Sequence, residues 1–395
     1  MRFGHAMQSD WPLDPDVVYL NHGTVGVTPN AVLAAQRAIR DETERAPSQV
    51  LLRDQSGLVG VPTGKPTRLR QAAREIAAFV GARGDDLVFV DNATTGVNAV
   101  LRSLPLRPGD EILITDHNYG ATMRVAMFVA RERGAVVRTA AVPYPVFDRQ
   151  GLIESVRRTL SERTRVAVLD HITSESALVF PLAELAAVCR ERGVPVLADA
   201  AHAPGVLSID VGSLGVDWYT ANLHKWACAP RSCGFLWASP ERQAGLHPPV
   251  ISWGLDQGFT AEFDWVGTRD ESAWLAAPAG LAFLNQIGRE AVWQHNHDLA
   301  WQGAQLLAAR WGTTLGFTAA DIGFMATVPM PAACGKEPAD AARVRDALLF
   351  DHRIEVQVHA AHGGLWARIS AQVYNEIGDV ERLAGAVLTM ASITS

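Results

Sequence analysis

Cysteine is scarce in this chain. Cys189, Cys228, Cys233 and Cys334 are the four present, and their spacing fits neither a zinc site nor a disulfide framework. A reduced, cytoplasmic compartment is the matching expectation. Basic clusters are equally missing: the net charge is −7, and the segment richest in arginine (Arg68, Arg70, Arg74) reads as a solvated helix face. Nucleic acid is therefore not an expected partner. No uninterrupted apolar run approaches the roughly 20 residues of a membrane helix, so no membrane association is expected. Residues 1–10 lack the basic-then-apolar pattern of a secretory signal. Internal repeats and low-complexity segments are absent as well.

What is present is ample core material. At 395 residues, 48% hydrophobic and 19% charged, the chain exceeds one ordinary core, and two domains are expected. From about Leu87 to Ala238, short apolar runs alternate with helical patterns. Strands are expected at 87–90, 111–115, 135–142, 165–170, 194–198, 217–220 and 234–237, with helices at 95–103, 121–133, 152–160 and 182–192. Such alternation builds a mostly parallel sheet covered on both faces. After Gly267 the pattern changes to a long helix at 272–284, another at 290–310, and then short strands at 324–328, 355–358 and 365–370. Helices at 339–352 and 379–391 complete a smaller α+β domain. Residues 57–66, rich in Gly and Pro, read as an exposed loop.

Ligands of open parallel sheets bind beyond the carboxyl ends of the strands, and polar residues gather at those positions here. Lys225 lies on a short turn, 26 positions after Asp199, which ends an apolar run. A lysine so placed forms a Schiff base with an aldehyde, and a buried strand-end aspartate pairs with a protonated pyridine nitrogen. Pyridoxal phosphate (PLP) needs both. Thr94, Thr95 and Gly96 open a helix whose free N–H groups suit a phosphate, although taken alone ordinary capping is the better reading. His117 or Tyr119 could lie flat on the pyridine ring. His202 could reach the ring's phenolic oxygen, with a helix-capping turn at Asp199 as the plainer alternative. Asn222 and His224, beside the lysine, are further phosphate ligands in this reading.

These motifs together resemble the class V aminotransferase family of fold-type I PLP enzymes, the group that includes cysteine desulfurases, kynureninases and isopenicillin N epimerases. The likeness is carried by 92–96, Asp116-His117, Asp199-Ala200-Ala201-His202, Asn222-Leu223-His224-Lys225, Gly267-Thr268-Arg269-Asp270 and Arg368-Ile369-Ser370, and it spans about 19–375. The resemblance implies an α/β fold with a mostly parallel seven-stranded sheet in a large domain (26–285). An N-terminal segment (1–25) would cover the active site, and a smaller α+β domain (286–395) would follow. It implies a homodimer with shared active sites, in which Thr268 reaches the phosphate of the neighbouring subunit. Arg368 would clamp the α-carboxylate of an amino-acid substrate, and Asn21 and His22 would touch that substrate.

The reaction is less determined. A cysteine desulfurase would need a cysteine shortly before Arg368, and 355–366 holds His359 and His362 but no cysteine. Cys334 is too remote in sequence to fill that place readily. The stretches 19–23, 116–121 and 267–273 are most similar to the isopenicillin N epimerase branch. Epimerisation would require a second acid or base besides Lys225, drawn from His22, Tyr119 or His359. β-Elimination of a sulfur leaving group, which needs Lys225 alone, is the second expectation and transamination the third. A nicotinamide dehydrogenase is not expected, because no Gly-x-Gly-x-x-Gly follows the first strand.

Overall fold

The computed structural model describes residues 3–58 and 65–394, so most of the loop expected at 57–66 lies outside the described residues. The strands are, in chain order, β1 (Val18–Tyr19), β2 (Leu87–Val90), β3 (Glu111–Thr115), β4 (Val136–Ala140), β5 (Thr164–Asp170) and β6 (Val196–Asp199). They continue with β7 (Trp218–Asn222), β8 (Gly234–Ala238), β9 (Met325–Pro329), β10 (Ile354–Glu355), β11 (Gln357–Ala361) and β12 (Gly364–Ser370). Strands β2 to β8 form one seven-stranded sheet in the order β2-β8-β7-β6-β5-β3-β4. From β7 to β4 all neighbours are parallel, while β8 runs antiparallel to both β7 and β2. The expected mostly parallel seven-stranded sheet is thus present.

Its strands are apolar runs rather than alternating ones because helices cover both faces. Within β5 the two-residue period divides the side chains: Ala167 and Leu169 enter one core, Val166 and Val168 the other. Edge strand β4 departs from this, with Val136 and most of its neighbours exposed or half-buried. The helix Ala93–Ser103 follows β2 and is capped by Asn92, whose Oδ1 accepts from Thr95 N at 2.9 Å. Gly134, at φ 68°, closes the helix Gly120–Arg133 with a left-handed turn.

The C-terminal part holds a three-stranded antiparallel sheet, β11-β12-β9. The N-terminal β1 pairs with β10, and Ser370 N donates to Leu20 O, so the chain start is tied to this C-terminal sheet. Two sequence expectations need correction here. The single helix expected at 272–284 is two, Ser272–Leu275 and Ala277–Ile287, because Pro278 fits a first helical turn but not an interior. The strand expected at 355–358 is split at Val356: β10 pairs with β1, whereas β11 turns to pair with β12.

The helix Ala93–Ser103 lies so close to β7 that a Cβ on Gly96 would overlap the Thr220 hydroxyl. Gly96→Ala should therefore cost about 1–3 kcal/mol despite alanine's better helix propensity. Urea unfolding should find the Gly96→Ala/Thr220→Ala double variant more stable than Gly96→Ala alone; no recovery would place the strain elsewhere.

Candidate active site

A cavity of about 220 Å³ opens at the carboxyl ends of β5, β6 and β7, where the sheet delivers Asp170, Asp199 and the turn after Asn222. A larger cleft lined by Phe79, Leu207, Leu284 and Trp293 carries Arg289 and Glu290 but no buried nucleophile. The chemistry converges on the smaller one.

Lys225 is buried there, with 9% of its surface exposed. Burial, reinforced by the Arg368 charge, brings its amine down to about 7. Nζ lies 3.1 Å from His202 Nε2. An amine donating to Nε2 leaves the imidazole proton on Nδ1, and that atom is buried with no partner among the described residues. Burial, then the Lys225 charge, holds His202 well below its ordinary range, so it is neutral. His202 thus contacts the lysine itself.

Asp199, at the end of β6, is 3% exposed. Its Oδ2 accepts from Thr122 Oγ1 at 2.7 Å and its Oδ1 from Ala201 N at 3.3 Å. Burial raises its pKa, against the pull of those donors and of Lys225. No ion pair reaches this carboxylate among the described residues. A buried carboxylate without a cation is costly, and a protonated ring nitrogen is the partner that would satisfy it.

At the other end, Asn92, Ala93 and Thr94 line the cavity. Ala93 N donates to Asn222 Oδ1 at 2.8 Å, which ties the helix start to the end of β7. The Thr95 amide and hydroxyl turn back to Asn92 Oδ1, and Gly96 serves the helix–sheet contact. Of the three residues expected at a phosphate, Thr94 is the one that faces the cavity, while Asn222 and His224 line it too. His224 Nδ1 donates to Cys233 O at 2.8 Å, which leaves Nε2 free. Its pKa is lowered to about 4, mainly by burial.

Tyr119, 48% exposed, lines the cavity. His117 does not. Its ring meets Ser176 Oγ at 2.7 Å and stands edge-on to Tyr144. Arg368 lies one layer behind the wall: Nη1 donates to Ser174 O at 2.6 Å and Nη2 to Thr24 Oγ1 at 2.7 Å, both wall residues. Its Nε is buried without a partner, and burial lowers its pKa to about 10. Asn21 touches Arg368 through Oδ1 and Glu355 through Nδ2. His22 is fully buried behind the lysine turn: Tyr374 OH donates to Nδ1 at 2.9 Å, and Nε2 donates to Lys225 O at 3.0 Å. It supports the lysine backbone. Thr268 is exposed and outside its own chain's cavity.

Several wall residues went unread in the sequence. Asp170 ends β5 as Asp199 ends β6, and the same strand-end rule would have found it. Thr24 and Ser174 carry no chemical signature of their own. Lysine scarcity was a further signal: the chain has Lys65, Lys225 and Lys336, and the first and last are exposed.

A buried lysine facing an unpaired buried aspartate, at the strand ends of such a sheet, defines a site of PLP-dependent type. Comparison with known proteins agrees. The family model "Aminotransferase class-V" matches residues 63–383, and the chain belongs to that family. It is 33% identical to a probable chloroplastic L-cysteine desulfhydrase of Arabidopsis thaliana, over 95% of this chain and 83% of that one. It is 31% identical to isopenicillin N epimerase of Streptomyces clavuligerus, over 95% of each. Among solved structures, a C-DES variant with glycine covalently linked to the PLP cofactor superposes with a TM-score of 0.76 at 20% identity, over 96% of this chain and 98% of that one. The chain is accordingly a PLP-dependent enzyme of an α/β fold.

Lysine at this depth has a consequence for the PLP-free protein. The folded state penalises the protonated amine, whose pKa is about 7 there against 10.5 in the unfolded chain. The penalty is complete below pH 7, shrinks between pH 7 and 10.5, and vanishes above that. Lys225→Met should therefore stabilise the PLP-free protein most at low pH and progressively less as pH rises. Denaturant titrations at several pH values measure this, and a pH-independent effect would show an amine in contact with water.

Proposed function

We propose that this PLP-dependent enzyme is a carbon–sulfur lyase, removing the α-proton of an amino acid and expelling a sulfur group from its Cβ. The supporting observation is that Lys225 lines the cavity, whereas two of the three residues considered as a second acid or base do not. Of the three residues considered as a second acid or base, His22 is locked between Tyr374 and Lys225 O, and His359 lies off the cavity wall. Epimerisation is the second reading, and Tyr119 on the wall is what keeps it open.

When bound, PLP supplies an electron sink that weakens the bonds at Cα. The residues that would hold it line one cavity: Asp199 would meet the ring nitrogen, Thr94 and His224 the phosphate, and Lys225 the aldehyde carbon. With its amine near pH 7 in pKa, Lys225 is substantially neutral at physiological pH and competent to accept the α-proton. In elimination the α-proton would pass to Lys225 Nζ, the Cα–H electron pair would become the Cα=Cβ bond, the Cβ–S pair would leave on sulfur, and water would hydrolyse the released 2-aminoacrylate to a 2-oxo acid and ammonia. His202 steadies the amine, and His22 fixes the backbone that carries it. Arg368, buried and without a carboxylate partner, suits the α-carboxylate, which would take over from Ser174 O and Thr24 Oγ1. A persulfide-forming cysteine has no place before Arg368, because β11 and β12 form a tight hairpin turning at His362-Gly363.

Incubating the holoenzyme with L-cysteine and a panel of S-substituted cysteines in deuterated water distinguishes the readings. The expected products are a 2-oxo acid, ammonia and a released sulfur species; inversion with deuterium at Cα instead would make the enzyme an epimerase. Borohydride reduction followed by peptide mapping should leave a pyridoxyl group on Lys225.

We also infer a cytoplasmic homodimer with shared sites. The four cysteines are free and buried, in keeping with a reducing compartment. Exposed Thr268 follows the helix Phe259–Asp264, and the loop before that helix leaves Val250, Ile251 and Trp253 in solvent, a surface suited to a second copy. Mixing Lys225→Ala with Thr268→Val subunits should restore activity above either alone, since one site of each hybrid is intact. Additive activity would argue for self-contained sites.

A further inference from the structure

Asp170 has no part in the reaction outlined above, yet it is 2% exposed and shares the cavity wall with Asp199. The two are Cα partners on adjacent parallel strands, β5 and β6, so their carboxyl groups leave the sheet side by side. Burying two carboxylates together without a cation is prohibitive, and one of such a pair retains a proton.

The donors around them decide which. Asp199 receives the Thr122 hydroxyl and the Ala201 amide, and Lys225 bears on it electrostatically. Asp170 receives a single side-chain donor, Asn118 Nδ2, at 2.5 Å on Oδ2. The Asn118 amide cannot be turned round, because its Oδ1 accepts from Thr115 N at 2.7 Å. Asn118 therefore fixes Asp170 Oδ2 as an acceptor and leaves Oδ1 as the oxygen able to carry hydrogen. Among the described residues no other titratable neighbour pairs with Asp170: Lys225, on the same wall, contacts His202 and acts electrostatically on Asp199. His171, next in sequence, turns its Nδ1 to Tyr219 OH, and His202 is occupied by Lys225.

We propose that Asp170 is a positioning residue that stays a neutral acid, protonated on Oδ1, so that Asp199 is the single anion at the ring-nitrogen end of the cavity. Burial and the Asp199 charge both push Asp170 in that direction, opposed only by its own backbone N–H. Asn118, held by the β3 turn, keeps the acid oriented. The inference rests on the reading of Asp199 as the ring-nitrogen partner.

Carboxyl infrared spectroscopy of the holoenzyme tests it. With ¹³C-carboxyl aspartate incorporated, glutamate signals are excluded, including that of Glu271, which burial raises to about 8. At pH 8 Asp264, raised to about 6, is ionised and contributes no acid band. The wild type should show one isotope-shifted band of a protonated carboxyl, and Asp170→Asn should abolish it. The visible-absorbance titration of the bound cofactor should keep its midpoint in Asp170→Asn to within roughly 0.3 pH unit, as loss of a neutral group implies; removing an anion would move it by about one unit or more. No acid band in the wild type, or a band that survives Asp170→Asn and disappears in Asp199→Asn, overturns the proposal. If Asp170→Asn does not fold, Asn118→Leu serves instead: it should shift the band, and an unmoved band overturns the proposal equally. Failure of the wild type to acquire the cofactor's visible absorbance would be a different result, sinking the reading of the site itself.

Discussion

A lysine amine held out of water is the constraint on which this structure depends. Burial keeps Lys225 basic but substantially neutral near pH 7, and the surrounding backbone is committed to holding it there. His22 is fully buried and lies off the cavity wall; its Nε2–H fixes the Lys225 carbonyl, and Tyr374 fixes its other nitrogen. Cys233 O accepts from the amides of Leu223 and His224 and from the His224 ring, which stitches the lysine turn to the start of β8. Gly26, at φ +68°, admits the His224 carbonyl into space that any side chain would occupy. The N-terminal segment, β7, β8 and the C-terminal Tyr374 therefore meet at one residue's main chain.

The cofactor site follows from sheet topology more than from local sequence. Parallel strands end on one side, so β5, β6 and β7 present Asp170, Asp199 and Asn222 at neighbouring positions without any of them being close in sequence. That is why the strand-end rule found Asp199 and Lys225 from the sequence and located the cavity. It also explains what stayed hidden. Asp170 satisfies the strand-end rule as Asp199 does, but its pairing with Asp199 exists only in the register of β5 against β6. Thr24 and Ser174 reach the wall through the Arg368 guanidinium, a tertiary relation that spacing does not encode.

Histidine marks the limit of sequence reading most clearly. His22, His117, His202 and His224 all lie in motifs near strand ends, yet their surroundings give them four different tasks. His22 props a carbonyl, His117 packs on Tyr144 and Ser176, His202 meets the lysine, and His224 leaves one nitrogen toward the cavity. The imidazole ring is equally suited to each, and the choice is made by which backbone carbonyl or hydroxyl comes within reach. The strand and helix boundaries were legible because burial on both faces imposes apolar runs on β2, β3 and β5 to β8. Pro278 and the division at Val356 were the places where local chemistry and strand partner overrode that pattern.

Charge within the cavity and its wall is arranged to be completed by a ligand. Among the described residues Asp199 has hydrogen-bond donors but no ion pair, and Arg368 has hydrogen-bond acceptors but no carboxylate, with its Nε unpartnered. On the proposed reading, the cofactor's ring nitrogen would bring a cation to Asp199 and an amino-acid substrate would bring a carboxylate to Arg368. Each unmet group would be expensive in a dry protein, so on this reading a loaded site would be the more stable one and its ligands would be oriented from both ends. Lys225 shares the cavity wall with Asp199 and feels the charges of both Asp199 and Arg368. On the proposed reading, the same buried amine that constrains the fold would take the proton from Cα.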